Sequence, residues 1–191
     1  MKNIVLFASG NGTIVQNIVE YFGDKSKNIC VRLIVCNNAN AYVMTRAKNL
    51  NIDALHIDKK MIYENNTLID ILQKNKTDLI VLAGFLWLIP ESMINAFPNK
   101  IINIHPALLP KYGGKGMYGM HVHQAVIANQ EAYTGISIHY VNQHYDEGNI
   151  IFQEKCFISP ADTAEDVAQK VHQLEYAHYP KIIEQLLQEI H

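Results

Sequence analysis

The first half of the sequence alternates short apolar runs with segments of helical character, and this alternation is what most constrains the fold. Strands are predicted over residues 4–8, 31–36, 54–57 and 79–83. The helices between them are predicted over residues 14–21, 41–50 and 62–73. Continuous apolar strands separated by helices are typical of parallel sheets that helices cover on both faces. The pattern therefore predicts an α/β fold with a mostly parallel central sheet.

The second half of the sequence predicts an antiparallel addition to this sheet. A strand over residues 136–141 is followed, after a short turn, by a strand over residues 150–157. A final helix is predicted to begin at Asp162 or Thr163, and Pro180 is expected to kink or break it.

Length, charge and cysteine content limit the class of protein. A length of 191 residues predicts a single domain over residues 1–191. The formal net charge of −2 and the lack of a long basic run disfavour a nucleic-acid partner. A strand close to Met1 leaves no room for a signal peptide, and no apolar run reaches the ~18 residues of a membrane span. The three cysteines lack CxxC spacing and are interpreted as reduced. We therefore expect a cytoplasmic protein that acts on small molecules, without a membrane partner.

Two polar side chains interrupt a further apolar strand over residues 101–105. Asn103 and His105 are two residues apart, so on a strand both project from the same face. Pro106 ends the strand, at the edge where open α/β sheets place reactive groups. Asp146 adds a carboxylate in a later turn. An amide donor, a histidine and a carboxylate together indicate acyl-group chemistry.

A glycine-containing loop at residues 9–13 follows the first strand and precedes the first helix. Free backbone N–H groups and the helix dipole at such a position favour an anion, and phosphate is the expected ligand. A tight βα turn capped by Thr13 is an equally good interpretation of the loop alone. A dinucleotide is disfavoured, because Val15 occupies the place of the third glycine and Asn37 and Asn38 end the second strand.

Two further segments have compositions that suggest a binding site. Residues 84–90 are too apolar for an ordinary exposed loop, and they either cover the core or line a pocket for a flat ligand. Residues 109–119 contain four glycines and are interpreted as a mobile loop that acts as a lid.

A metal site is not predicted. The sequence contains nine histidines but no HExxH motif or cluster of cysteine and histidine. His121 and His123 alternate at the start of a predicted helix, a spacing that does not direct both rings at one ion. Most histidines are interpreted as surface or hydrogen-bonded groups, with His105 and His139 as the exceptions.

Several of these motifs together resemble the phosphoribosylglycinamide formyltransferase family, a group of folate-dependent formyltransferases, over nearly the whole chain. The matching stretches are residues 9–12, 81–85, 103–112, 137–141 and 146–148. The resemblance implies a Rossmann-like formyltransferase fold. It also implies transfer of a formyl group from 10-formyltetrahydrofolate to the amine of 5′-phosphoribosylglycinamide, in purine synthesis and without a metal.

The resemblance also implies roles for individual residues. Catalysis would rest on Asn103, His105 and Asp146. The ribonucleotide would contact residues on the glycine loop and the last helix, namely Gly12, Thr13, Ile14, His172, Gln173 and Glu175. The folate would contact Leu86, Trp87, Leu88, Ile89, Asn103, His139, Asn142, Gln143, His144 and Tyr145. In this scheme the N-terminal half binds the phosphate and ribonucleotide, and the C-terminal half binds folate and carries out catalysis. The protein is expected to be a monomer or a homodimer.

Other functions remain open at this point. A formyltetrahydrofolate deformylase would use water instead of the amine with similar Asn, His and Asp residues, but that family usually carries an extra regulatory domain. A methionyl-tRNA formyltransferase would need an RNA-binding domain and a basic surface. A non-catalytic module that binds a phosphate ligand would explain the glycine loop but not Asn103, His105 and Asp146 together.

Overall fold

A computed structural model of the chain describes residues 1–25 and 28–189, and it contains a seven-stranded sheet within those residues. The strands are β1 (Lys2–Ala8), β2 (Ile29–Cys36), β3 (Ala54–His56), β4 (Leu79–Leu82), β5 (Ile101–His105), β6 (Tyr133–Tyr140) and β7 (Ile150–Phe157). The helices are α1 (Thr13–Lys25), α2 (Tyr42–Asn49), α3 (Lys59–Tyr63), α4 (Thr67–Lys74), α5 (Glu91–Ala96), α6 (Met120–Ala128) and α7 (Ala164–Glu189).

The sheet has the strand order β3-β2-β1-β4-β5-β6-β7. The first five strands in this order are parallel, whereas β6 is antiparallel to β5 and β7 is antiparallel to β6. The predicted α/β fold, with a mostly parallel sheet and an antiparallel C-terminal part, is therefore confirmed.

Each face of the sheet carries its own apolar core, as the continuous apolar strands predict. On β1, Ile4 and Leu6 point into a core shared with α1, α2, α6 and α7, while Val5 and Phe7 point into a core shared with α3, α4 and α5. From Ile4 to Phe7 both faces of this strand are fully buried. Alternate side chains that enter two cores explain why the strand lacks a polar face.

One predicted helix is wrong, and in the last helix the break expected at Pro180 does not occur. The single helix expected over residues 62–73 is divided into α3 and α4. Asp58 caps α3 by accepting from the Met61 amide, and Asn65 accepts from the Thr67 amide where α4 starts. Each helix thus has its own N-terminal signal, which the apolar spacing alone conceals.

The second difference concerns the last helix, which does not end at Pro180. Tyr179 and Pro180 are buried and are followed by buried Ile182 and Ile183, so core packing outweighs the lost backbone hydrogen bond. The start of α7 follows the prediction: Thr163 Oγ1 accepts from the Asp166 amide, and the Asp166 carboxylate accepts from the Thr163 amide.

The connections place several strand ends at one edge of the sheet. From β1 the chain builds β2 and β3 on one side, then crosses back to β4 on the other side. The carboxyl ends of β1 and β4 therefore lie together where the connections diverge, which is the usual position of ligand sites in such sheets. Backbone hydrogen bonds from Ser9 N to Gly84 O (3.0 Å) and from Ala83 N to Phe7 O (2.8 Å) join these ends.

In the described residues, no helix has the combination of length and apolar character that a transmembrane segment requires.

Candidate active site

A cavity of about 630 Å³ opens at this edge of the sheet. Its lining brings together segments that are far apart in sequence: the loop after β1, the segment after β4, the end of β5, the glycine-rich loop before α6, the turn between β6 and β7, and α7. A cavity of this size can hold small organic ligands.

Most of the site residues predicted from the sequence line this cavity. They are Gly12, Thr13, Ile14, Leu86, Trp87, Leu88, Ile89, Asn103, His105, His139, His144, Tyr145, Asp146, His172 and Glu175. Three others lie outside its lining: Gln173 is exposed on α7, Gln143 is exposed in the β6–β7 turn, and the Asn142 side chain accepts from the His144 amide at 2.9 Å.

Asp146 lies at the centre of the polar part of the cavity. Its Oδ2 accepts from the Gly114 amide at 3.0 Å and lies 3.4 Å from His105 Nδ1, while its Oδ1 lies 3.3 Å from Asn103 Nδ2. Its backbone is left-handed, with φ of 58°, a conformation that aspartate tolerates better than most residues. The turn thus directs this carboxylate at the end of β5.

The environment of Asp146 also determines its charge. Burial alone raises the pKa of Asp146, but the nearby His139 and His105 rings and the Gly114 amide together hold that pKa below its usual value. The carboxylate is therefore ionised at neutral pH and can accept a proton during a reaction.

His105 is buried at the end of β5 between two acceptors. Its Nε2 lies 2.7 Å from the Tyr112 carbonyl oxygen, to which it can only donate, and its Nδ1 faces Asp146. Burial lowers the pKa of His105, and this outweighs the Asp146 carboxylate and the Tyr112 carbonyl, which raise it. Opposing influences of this kind are typical of groups that transfer or share protons.

Asn103 is positioned by His139 across the β5–β6 pair. Its Nδ2 lies 3.1 Å from His139 Nε2, and His139 Nδ1 lies 2.9 Å from the Tyr140 carbonyl oxygen. In the tautomer whose Nδ1 donates to that carbonyl, the His139 Nε2 lone pair can accept from the Asn103 amide, and the same Nε2 lies 3.5 Å from Asp146 Oδ1. One amide hydrogen therefore points at His139 and the other at Asp146.

The loop after β1 forms one end of the cavity. Gly12 has φ of 77°, and the first backbone bond of α1 runs from Gln16 N to Gly12 O at 3.0 Å. The amides of residues 13–15 therefore precede the first intrahelical bond, which is where anions bind at helix N-termini. A side chain at position 12 would collide with α2, since its Cβ would lie 2.4 Å from Val43 Cγ2.

The apolar segment after β4 both covers the core and lines the cavity. Phe85 and Ile89 are buried in the core, whereas Leu86 is half exposed. Trp87 lies between the rings of Phe85 and Tyr63, at centroid distances of 6.2 Å and 6.1 Å. These side chains present an apolar surface to the cavity.

The helix α7 contributes a buried carboxylate to the cavity. Glu175 is 3% exposed, and its Oε2 lies 2.7 Å from His172 Nδ1. This hydrogen bond raises the pKa of His172. Taken alone, the spacing of these residues on a helix favours a solvated face, and only the fold shows that Glu175 faces inward.

Sequence reasoning missed His123, which lines the cavity and is 2% exposed. Its Nδ1 has no hydrogen-bond partner among the described residues, and burial, reinforced by His172 and His105, lowers the pKa of His123 to about 4. The alternation of His121 and His123 was the available signal. It does not reveal which ring faces the core, because the register of α6 on the sheet decides that.

The glycine-rich loop before α6 lies over the same cavity, with residues 114–120 in its lining. No group of three or more His, Cys, Asp or Glu side chains is arranged to hold a metal ion in the part of the chain that the structure describes.

Comparisons with known proteins relate this geometry to one enzyme group. Residues 2–183 match the family described as Formyl transferase. The chain is 37% identical to a phosphoribosylglycinamide formyltransferase of Bacillus subtilis, over 98% of this chain and 95% of that protein. It is also 37% identical to the chloroplastic phosphoribosylglycinamide formyltransferase of Arabidopsis thaliana, and there it spans 98% of its own length but only 66% of the plant protein.

A solved structure with the same fold is described as an enzyme of the same group. The crystal structure of glycinamide ribonucleotide transformylase 1 from Geobacillus kaustophilus superimposes with a TM-score of 0.87 at 31% sequence identity. The match covers 98% of this chain and 99% of that one.

Proposed function

Because the chain belongs to the formyl transferase family, we propose that it transfers a formyl group from 10-formyltetrahydrofolate to the amine of 5′-phosphoribosylglycinamide, a step of purine synthesis. One observation carries the proposal. Asn103, His105 and Asp146 meet in a single cavity that has the loop after β1, at the N-terminus of α1, on one side and an apolar wall on another. We call this loop, residues 9–13, the anion-binding loop.

The two substrates are assigned to different parts of the cavity. The amides of Gly12, Thr13 and Ile14 bind the phosphate, and His172 and Glu175 contact the rest of the ribonucleotide, with the exposed Gln173 at its margin. The folate packs on the apolar segment at residues 86–89 and on His144 and Tyr145, with His139 nearby. Asn142 and Gln143 lie at the margin of this region, outside the cavity lining. The N-terminal half thus binds the phosphate and supplies the apolar segment for the folate, while the C-terminal half supplies Asn103, His105 and Asp146 and further contacts to both substrates.

Attack of the amine on the formyl carbon creates an oxyanion and an ammonium group, and both charges need partners. Asn103 is placed to donate to the oxyanion, but its amide hydrogens are directed at His139 and Asp146. If the Asn103 amide gives up its hydrogen bond to Asp146 and donates to the oxyanion instead, Asp146 Oδ1 becomes free at the same moment. The freed carboxylate oxygen then accepts the proton of the ammonium group. When the tetrahedral intermediate collapses, the bond between the formyl carbon and the donor nitrogen breaks. The proton taken from the ammonium group passes to that nitrogen, which leaves as tetrahydrofolate.

His105 assists from the other side of Asp146. The resting ring is neutral, but a proton taken up at Nδ1 during the reaction, with Nε2–H donated to Tyr112 O, would place positive charge close to the developing oxyanion. Burial favours the neutral ring, so the proton on His105 is held weakly and can be released later in the reaction.

The proposal extends to the setting of the enzyme. We infer a cytoplasmic location, with a monomer or a homodimer as the working form. The three cysteines are unpaired, which suits a reducing compartment.

Incubation of the protein with 10-formyltetrahydrofolate, with and without phosphoribosylglycinamide, tests the proposal. Formylated ribonucleotide should form only when both substrates are present, and Asn103→Ala should lower its rate about 10²- to 10³-fold while the protein stays folded. Release of formate without the amine would instead identify a deformylase. Binding of both ligands without any product would identify a non-catalytic module.

A further inference from the structure

An arginine on α2 holds the anion-binding loop from behind. Arg46 Nε donates to the Asn11 carbonyl oxygen at 2.8 Å, and Arg46 Nη2 donates to Asn11 Oδ1 at 2.9 Å. A third donor, Nη1, bonds Gln16 Oε1 in the first turns of α1. One guanidinium group thus joins the loop to the helix whose N-terminus faces the phosphate site.

The packing of α2 against the loop supports this contact. The Val43 amide donates to the Gly10 carbonyl oxygen at 3.1 Å, and Val43 fills the space that a side chain at position 12 would need. The Arg46 guanidinium also lies over the Tyr42 ring, with Cζ 4.9 Å from its centroid. Arg46 is therefore fixed in place on more than one side.

The charge of Arg46 is not neutralised by these contacts. Its three hydrogen bonds all go to neutral oxygens, and none of the ion pairs among the described residues involves it. The nearest acidic side chain in this chain of bonds, Glu20, bonds Gln16 and not Arg46. Gln16 Nε2 donates to the Glu20 carboxylate at 2.6 Å. A positive field therefore remains next to the loop.

The bond to the Asn11 carbonyl has a second effect. That carbonyl belongs to the same peptide group as the Gly12 N–H, and a cationic donor on the oxygen withdraws electron density from the whole group. The N–H becomes a stronger donor, because hydrogen bonds in a chain polarise one another. Arg46 can therefore strengthen an anion contact without touching the anion.

We propose that Arg46 is a positioning residue that gives the enzyme its preference for a phosphorylated substrate. It fixes Asn11, polarises the Asn11–Gly12 peptide and supplies the only arginine charge near the loop, since the second of the two arginines, Arg32, bonds Asn3 instead. The inference rests on the proposed function, because it assumes that the loop holds the ribonucleotide phosphate.

Steady-state kinetics of Arg46→Ala test this role. The KM for phosphoribosylglycinamide should rise by roughly tenfold or more, while kcat changes by less than about twofold and the KM for the formyl donor is unchanged. With glycinamide riboside, which lacks the phosphate, kcat/KM should be the same in variant and wild type. A general loss of structure would instead lower kcat/KM with both the phosphorylated substrate and the riboside.

Two further variants make the outcome decisive. Arg46→Lys keeps the charge but cannot bond both Asn11 oxygens with one planar group, so its KM should fall between those of wild type and Arg46→Ala. Arg32→Ala removes the other arginine and should leave the KM unchanged. Equal losses with the phosphorylated and phosphate-free substrates, or an unchanged KM in Arg46→Ala, would overturn the proposal. If Arg46→Ala fails to fold, Arg46→Lys decides by the same criteria.

A binding measurement separates this inference from the proposed reaction. Ribose 5-phosphate, titrated calorimetrically without any formyl donor, should bind wild type about tenfold more tightly than Arg46→Ala. Equal affinities would contradict the role of Arg46 even if formyl transfer is observed. A wild type that binds ribose 5-phosphate but transfers no formyl group would contradict only the reaction.

Discussion

At the scale of single residues, the proposed reactive centre depends on how one carboxylate is shared among its neighbours. Asp146 lies within 3.5 Å of polar atoms on His105, His139, Asn103 and Gly114. Its negative charge raises the pKa of His105, which burial lowers, and the His105 ring in turn lowers the pKa of Asp146. Each group therefore affects the protonation of the other. Removing the charge should therefore change the ring as well as the carboxylate.

Asp146→Asn should lower kcat about 10²-fold or more with little change in either KM, because it removes a proton acceptor that acts in the transition state. It should also lower the pKa of His105 further, since the carboxylate raises that pKa in the wild type. The pKa can be followed by NMR of the imidazole carbons. Glu147→Gln, a change at the adjacent exposed carboxylate, provides the control and should leave both quantities intact.

A rise in the pKa of His105, or near wild-type turnover in a folded Asp146→Asn variant, would remove Asp146 from the mechanism. The double variant His105→Ala/Asp146→Asn should lose less than the product of the single losses, because the two residues serve one transition state.

At the scale of elements, the loop after β1 depends on its contact with α2. Gly12→Ala should destabilise the fold by about 1–3 kcal/mol, because φ is 77° and the new Cβ would lie 2.4 Å from Val43 Cγ2. The KM for the ribonucleotide should rise in the same variant, while the KM for the folate stays constant. Chemical denaturation and steady-state kinetics measure these effects.

Gly10→Ala is the matched control in the same loop, since a Cβ there meets nothing within 4 Å. Its stability should stay within about 0.5 kcal/mol of wild type. Similar stability losses at positions 10 and 12 would show that the collision with α2 is not what restricts the loop.

The apolar segment after β4 offers an optical test, because Trp87 is the only tryptophan in the chain. Titration with a folate analogue should change its fluorescence, as the analogue would displace solvent from a ring that lines the cavity. Saturating ribose 5-phosphate should leave the spectrum nearly unchanged. If calorimetry shows that the analogue binds but the fluorescence spectrum of Trp87 does not change, the folate site lies elsewhere.

The sequence predicts elements well where a single local signal decides them. The apolar runs of β1, β2 and β4, the pairing of β6 with β7 and the Thr163 cap of α7 all have such signals. The inward positions of Glu175 and His123 have no such local signal in the sequence. Whether a polar residue on a helix faces solvent or a cavity depends on how the helix lies on the sheet, and that contact is non-local. The continuity of α7 through Pro180 likewise depends on tertiary packing that overrides a local rule.

At the scale of the whole molecule, buried histidines make stability depend on pH. The pKa of His123 is lowered to about 4 and that of His105 is also lowered, whereas unfolded histidines titrate near 6.5. Above about pH 6.5 both rings are neutral in either state. As the pH falls below this value the unfolded chain binds protons first, so the free energy of unfolding decreases until the folded rings are protonated in turn.

The free energy of unfolding should therefore fall between about pH 6.5 and pH 4, and His123 should account for on the order of 2 kcal/mol of that loss. Urea denaturation of His123→Gln at several pH values should show a flatter profile than wild type. In His56→Gln, a change at an exposed histidine on β3, the free energy of unfolding should fall at acid pH as it does in wild type. A profile for His123→Gln that is as steep as that of wild type would contradict the assignment.

The position of α7 has a consequence for the order in which the protein becomes active during synthesis. Tyr179, fully buried on this helix, donates to the Leu82 carbonyl oxygen at 2.9 Å, across 97 positions of sequence, and His172 and Glu175 on the same helix line the cavity. The strands can pair as they leave the ribosome, since chains fold from the N-terminus while they are being made. The cavity, however, gains this wall only when α7 emerges. We therefore expect a nascent chain that lacks α7 to have an incomplete cavity, and catalysis to begin only after the last helix has docked.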